Sequence, residues 1–325
     1  MSLTVQIGDF ESIEEEWESL LPHCVTDNIF LTPSWQKLWW NRFADGADLM
    51  LTCVREGDKL VGIAPLTVRE GVVSFLGDTD LVDYHDMLVR RGSEDVFYEA
   101  LCDFLFGLDW HTLDLRSLPE DSPSLAQMSR LAEARGLTVD IRKEDIAPVA
   151  VLPSTWDEYL SGLRKKDRHE LRRKLRRLES ADSPRQYTCE TPETVESCMK
   201  DFFRLLRASR EDKDEFMTPA REEFFLDVAR ELSGKGQFRL YFLEIEGVRV
   251  AACICFDYAD AFLLYNSGYD PEYSALSVGL LNKALCVKEA IEMRRTSFDF
   301  LRGTERYKYN LGAKDKAVYQ MVVRR

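Results

Sequence analysis

The chain has 325 residues, 45% of them hydrophobic, and its 18 Phe, 12 Tyr and 6 Trp supply enough apolar surface for a core, which excludes fibrous and disordered classes. A net charge of -14 makes the average surface repel nucleic acid and anionic lipid, so nucleic acid is not expected as a partner. Eight cysteines without a CxxC pair and only four histidines point to buried free thiols in a reducing compartment and to no metal site.

The opening reads as a strand, Leu3–Ile7, followed by a helix with Ser12 as N-cap and Glu15 closing a capping box. A second helix begins near Thr32-Pro33-Ser34 and carries Trp35, Leu38, Trp39 and Phe43 on one side. Strands Leu49–Arg55 and Leu60–Val68 flank the turn signal Glu56-Gly-Asp58, and Gly71–Leu76 is a third strand. An acidic loop, Asp78–Asp86, leads to a short strand at Met87–Val89. Next come a helix at Glu94–Gly107, a strand at His111–Leu115, a helix at Ser124–Arg135 and extended pieces at Val139–Ile141 and Val149–Val151.

The second half starts with a helix capped by Ser154, with Asp157 three residues on, running through Leu160 and Leu163 into Arg164–Arg177. That basic run holds nine Lys/Arg and two acids, and Leu163, Leu171, Leu175 and Leu178 form an apolar stripe along it. It is either a solvated helix balancing acidic neighbours, a site for a phosphorylated ligand, or a contact for anionic lipid or RNA. After the linker Ser180–Pro184 come a strand at Gln186–Glu190, helices at Pro192–Ser209 and Pro219–Gly234, and strands Phe238–Ile245, Val248–Tyr258 and Ala261–Ser267. A loop at Gly268–Tyr273, a helix at Val278–Met293, a strand at Ser297–Phe300 and a last strand at Ala317–Val323 finish the chain. Residues 49–115 and 238–300 share one element order, a duplication at the level of structure. The expected fold is mixed α/β, with residues 1–150 and 151–325 as two lobes, each a mostly antiparallel sheet covered by helices. No leader pattern and no run of about 18 apolar residues occurs, so a cytoplasmic protein is expected, with no transmembrane segment and at most peripheral membrane contact.

Several segments, taken in order, carry a resemblance. They are Phe30-Leu-Thr-Pro-Ser-Trp35, Gly62-Ile-Ala-Pro-Leu66, Phe75-Leu-Gly77 with Asp83-Tyr84-His85-Asp86, Trp156-Asp-Glu-Tyr-Leu160 before the basic run, and Phe298-Asp-Phe-Leu-Arg-Gly303 followed by Tyr307-Lys308. Through them the chain resembles GNAT-superfamily acyltransferases of the CelD/FemAB-like type, built from tandem GNAT-like lobes. The resemblance implies acyl transfer from acetyl-CoA or another acyl-CoA, as co-substrate, to an amine or hydroxyl. The acceptor it implies is a small molecule or a cell-envelope or polysaccharide precursor, and no metal is involved. Two alternatives stand beside it. One is a Fem-like aminoacyltransferase using aminoacyl-tRNA on a peptidoglycan precursor, the single setting in which a nucleic acid is a partner. The other is a degenerate GNAT pair that binds without catalysis.

GNAT proteins usually mark the pyrophosphate site with Gln/Arg-x-x-Gly-x-Gly/Ala. The corresponding stretch, Tyr273–Leu281, keeps only Gly279. Ser277, Val278 and Gly279 are nonetheless the expected donor site, because a helix N-terminus offers unpaired N–H groups to a phosphate; an ordinary capped helix is the alternative. Arg302 and Lys308 are expected to hold a phosphate or carboxylate, with Asp299 and Tyr307 as catalytic groups and Tyr307 protonating a leaving thiolate. The alternative there is an ion pair from Asp299 to Arg302 or Lys308. In the first lobe Asp83, His85 and Asp86 serve either as the base toward an acceptor amine or as a plain solvated acidic loop. No Gly-x-Ser-x-Gly or Walker motif occurs, and Cys253 and Cys255 lie inside an apolar strand, which argues against an acyl-enzyme.

Overall fold

The computed structural model describes residues 3–325 and divides into two units, Met1–Ile146 with Lys316–Arg325, and Ala147–Asp315. The first opens with β1 (Leu3–Gly8) and α1 (Phe10–Leu20). The capping box sits one turn earlier than the sequence suggests. Asp9 is the N-cap and accepts the Ser12 N–H at 2.8 Å, while Ser12 occupies the third helical position. A carboxylate one residue before Phe10 lets that ring start the buried stripe Phe10, Ile13, Trp17 and Leu20. Then come α2 (Pro33–Phe43), β2 (Asp48–Glu56), β3 (Lys59–Arg69), β4 (Val72–Phe75), β5 (Leu88–Val89), α3 (Glu94–Gly107), β6 (Thr112–Pro119), α4 (Pro123–Glu133) and β7 (Thr138–Ile146). The last is a full strand where the sequence suggested only three extended residues.

The second unit holds β8 (Val149–Val151), α5 (Trp156–Gly162), α6 (Lys165–Glu179), β9 (Arg185–Cys189), α7 (Pro192–Ser209), α8 (Glu211–Phe216), α9 (Pro219–Gly234), β10 (Phe238–Ile245), β11 (Val248–Tyr258), β12 (Ala261–Tyr269), α10 (Val278–Glu292), β13 (Ser297–Asp299) and α11 (Arg306–Asn310). Thr155, not Ser154, caps α5, in a capping box with Glu158, and extended backbone at Leu163 and Arg164 separates α5 from the basic helix. Its leucine stripe is buried at Leu171 and Leu178, leaving Arg172, Arg173 and Arg176 exposed, while Arg168 and Arg177 are half-buried. Helices α8 and α11 were not foreseen, since each spans under two turns. Cys189 and Cys198 form a disulfide, correcting the expectation of free thiols throughout. They meet because the end of β9 and the start of α7 fold back on one another over nine residues of chain.

The last strand, β14 (Ala317–Arg324), pairs with both β6 and β7, so residues 316–325 belong to the first unit and not to a lobe running from 151 to 325. The first sheet runs β1-β2-β3-β4-β6-β14-β7, with β5 beside β3; the second runs β8-β13-β12-β11-β10-β9. Parallel pairs occur at β4–β6 and β12–β13. The two units therefore repeat one plan. Three antiparallel strands (β2-β3-β4, β10-β11-β12) lead into a helix (α3, α10) and a strand parallel to the third (β6, β13). In the second unit α10 packs Val278, Leu281, Ala284 and Val287 onto β10 and β11, each large side chain contributing about 1.5–3 kcal/mol. Helices α7 and α9 lie on the opposite face, where Phe225 meets Tyr265 at 5.3 Å. Gly268 of β12 is required by that packing: a Cβ there would stand 2.3 Å from the Leu206 backbone nitrogen. Among the described residues no helix is long and apolar enough to cross a membrane.

Candidate functional site

A cavity of about 410 Å³ opens in the second unit at the N-terminus of α10. One wall is the end of β12, Ser267 and Tyr269, just past a bulge between Cys255 and Ile254 of its partner strand. Bulges re-aim side chains beside sites. The chain then makes a 3-10 turn, Pro271–Leu276, and enters α10 through Ser277. Ser277 is in the left-handed region, φ 59° and ψ 35°, which costs a non-glycine residue about 1 kcal/mol or more. Its hydroxyl makes no capping hydrogen bond, correcting the sequence reading of an ordinary N-cap. Its carbonyl accepts from the Leu280 and Leu281 N–H groups, so the N–H groups of Val278 and Gly279 are those a helix start cannot satisfy internally. Gly279 lets this turn press against β12: a Cβ would sit 3.0 Å from Cδ1 of Tyr269.

Four cations line the cavity, Lys174 of α6, Arg210, Lys213 of α8 and Lys283 of α10, with Glu305 as the one acid among its lining residues. Lys283 is buried; its ammonium donates to the Gly279 carbonyl at 3.0 Å and lies 4.9 Å from the centre of the Tyr307 ring. Lys213 donates to the Ser267 carbonyl, and burial pushes its amine down to about 8, with Lys283 adding to the effect. Arg210 is held by a bidentate pair to Asp212, both contacts 2.8 Å. Burial raises the Glu305 carboxyl, but Lys308 beside it more than reverses this and leaves it below the usual carboxylate value. Burial pushes the Tyr307 hydroxyl well above its usual value, so it stays protonated and available as a proton donor. A helix N-terminus ringed by cations is chemically an anion site, suited to phosphates.

The remaining sequence candidates lie elsewhere. Lys308 is 1% exposed and donates to the carbonyls of Leu301 (2.9 Å), Arg302 (2.5 Å) and Gly303 (3.0 Å), with Glu305 Oε2 also at 3.0 Å. All its protons are committed to the loop, so it shapes that loop and does not line the cavity. Its ion pair is with Glu305, not with Asp299. Asp299 accepts the N–H of Leu301 at 2.8 Å, bracing a residue at φ 55°. Neither Asp299 nor Arg302 lines the cavity.

The Asp78–Asp86 loop is solvated only in part: Asp80 is exposed, but Leu81, Val82, Tyr84, His85 and Asp86 are buried, which corrects the reading of a plain solvated loop. Asp86 is fully buried and accepts from Thr26 Oγ1 (2.5 Å), Ser124 Oγ (2.5 Å), Ser122 Oγ (2.9 Å) and the Met87 N–H (2.8 Å). Burial raises its carboxyl, and these donors pull it partly back. Enclosed this way, Asp86 ties the loop to α4 through Ser122 and Ser124. His85 is also buried, stacked on Phe75 at 5.4 Å, and faces a cavity of about 300 Å³ with Asp78, Thr79, Asp114 and Arg116. Asp83 is half-buried and does not line it.

Of the expected donor-binding residues, the cavity brings together Ser277, Val278 and Gly279, with Tyr307, expected as a catalytic group, beside them. Sequence reasoning missed Arg210, Lys213, Lys283 and Glu305. Lys283, one turn after Gly279, carried a signal, and so did Lys213, the lone cation of Glu211-Asp-Lys-Asp-Glu215.

Residues 165–309, which include this cavity, match a family model described as an acetyltransferase (GNAT) domain. Among solved structures, the crystal structure of FemX is similar at a TM-score of 0.67 with 10% identity, covering 98% of this chain and 97% of that one. The L-PGS structure from Bacillus licheniformis gives 0.61 at 12% identity, over 96% and 91%. The C-terminal domain of a putative lysylphosphatidylglycerol synthetase from Agrobacterium fabrum gives 0.61 at 9%, over 97% and 92%. At these identities the likeness is one of fold. No curated protein sequence matches.

Proposed function

We propose that this chain is a GNAT-type acyltransferase of the tandem, FemAB-like form, whose second unit binds an acyl-CoA and passes the acyl group to an amine or hydroxyl. The GNAT domain matched at residues 165–309 supports an acyltransferase-type enzyme. The observation that supports the donor is the cation-lined cavity at the start of α10, where the N–H groups of Val278 and Gly279 meet Lys174, Arg210 and Lys283. The donor's phosphates rest on that helix end, its thioester lies along β12, and Tyr307 protonates the departing thiolate. Direct transfer suits the site, because burial pushes the thiols of Cys253 and Cys255 upward and keeps them poor nucleophiles. The acceptor in this reading is a small molecule or a cell-envelope precursor. Calorimetric titration with acetyl-CoA and longer acyl-CoAs tests the donor, and no binding at millimolar concentration overturns it.

A second reading has one observation in its favour. Arg172, Arg173 and Arg176 are exposed on α6, the helix whose Lys174 reaches the cavity, and such a face suits the backbone of a charged tRNA. Product formed from aminoacyl-tRNA but not from acyl-CoA would favour it.

A further inference from the structure

The cavity holds a group that neither phosphate binding nor thiolate departure uses. We infer that Lys213 is the proton acceptor for the incoming nucleophile; the inference rests on the acyl-transfer reading above and names a residue for its first step. Helix α8 carries Glu211, Asp212, Asp214 and Glu215 outward, all exposed, and turns Lys213 into the cavity. There its nitrogen donates to the carbonyl of Ser267, on the wall formed by β12. One N–H is thereby fixed on β12, and the side chain lines the cavity beside it. A lysine meant only to bind phosphate gains from full charge and from exposure to it; this one is desolvated and set beside other cations.

The surroundings favour the neutral amine. Burial acts first and Lys283 of α10 second; Cys253 of β11 opposes them, Arg210 before α8 adds a lesser push downward, and Glu305 before α11 a still smaller one upward. With its amine near 8, a substantial part is unprotonated at mildly alkaline pH, the condition for a general base. The step balances as follows. The acceptor's nitrogen or oxygen lone pair attacks the thioester carbonyl carbon, and its proton passes to Nζ of Lys213. The tetrahedral intermediate then expels the thiolate, which takes a proton from Tyr307. The Lys213 ammonium returns its proton to solvent, and the Tyr307 phenolate takes one back from solvent, so both groups end as they began.

The test uses the full chain, acetyl-CoA and a panel of primary amines including amino sugars, with CoA release followed from pH 6 to 10. Wild type is expected to show kcat rising with a midpoint near 8. Lys213→Arg, which keeps the charge and cannot lose it, is expected to lower kcat by about 100-fold or more and abolish that limb. Its KM for acetyl-CoA and its calorimetric Kd should stay within about threefold of wild type. Lys213→Ala, shown folded by thermal melting, should be partly rescued by added ethylamine. If Lys213→Arg keeps the wild-type pH profile, or loses acetyl-CoA affinity in proportion to rate, Lys213 is a binding or structural residue and the inference fails while the donor reading stands. If wild type neither binds acetyl-CoA nor releases CoA to any amine, the donor reading fails and takes this inference with it.

Discussion

The helix that follows the third antiparallel strand begins differently in the two units. In the first, α3 opens with Glu94 and Asp95 in its first turn, and Glu94 also accepts the N–H of Gly92 at 3.1 Å. In the second, α10 opens through a left-handed serine into Val278 and Gly279, with no acid in its first turn and four cations around it. The strand plan is shared, yet one helix end is neutralised by its own carboxylates and the other is left positive. A common fold therefore does not make a common site; the charge at one helix terminus separates a packing element from an anion cradle.

The comparison is broken or sharpened most strongly at Asp86. If the first unit's loop is structural, Asp86→Ala strands three hydroxyls and an N–H in the interior and should cost about 3–5 kcal/mol in urea denaturation. Undiminished stability with lost activity would return the loop to a catalytic role. Next is the disulfide, which in these described residues belongs to the second unit alone, since Cys24, Cys53 and Cys102 of the first are free and buried. Reduction should destabilise that unit by about 2–3 kcal/mol through the short loop it releases, and Cys189→Ser should remove the response to reductant. Hydrogen exchange, read unit by unit, checks it.

A smaller effect is expected at the cradle itself. Lys283→Met should weaken acetyl-CoA binding by about 10–50-fold, whereas Glu94→Gln at the matching helix should change it by less than about twofold. Equal effects would erase the distinction between the two helix ends. Lys213 gives a pH-dependent test. Its amine is depressed from 10.5 to about 8, so between those values the unfolded chain holds a proton that the folded chain has released. The resulting stability is complete above 10.5 and lost as pH falls through about 8. Relative to Lys213→Met, wild type should gain about 1–2 kcal/mol across that window, allowing for solvent reaching a half-buried amine.

Much of the fold was legible from local signals. Strands β10 and β11, and helices α3, α7 and α9, stand where alternation, Gly turns and an N-terminal proline place them. The caps of α1 and α5 were misplaced because Asp9 and Ser12, or Ser154 and Thr155, offer equivalent oxygens a few residues apart and only the buried stripe selects between them. At the site, Ser277–Gly279 was readable because it announces a helix start after a loop. At Lys308, proximity to Arg302 in sequence says nothing about the carbonyls of Leu301, Arg302 and Gly303 that surround its nitrogen.

By itself the sequence determined the mixed α/β class, the repeated strand–helix order and the start of α10 after the Gly268–Tyr273 loop, because periodicity and capping are set by near neighbours along the chain. Only the tertiary structure decided which unit β14 completes, which cysteines pair, and which cations gather at that helix start. Lys174, Lys213 and Lys283 come from three helices separated by up to 109 positions in the numbering, and their convergence depends on packing across β12 that no local pattern encodes. The same packing half-buries Lys213 while leaving its acidic neighbours in water, which is why a lysine in a charged run became the residue on which the proposed chemistry turns.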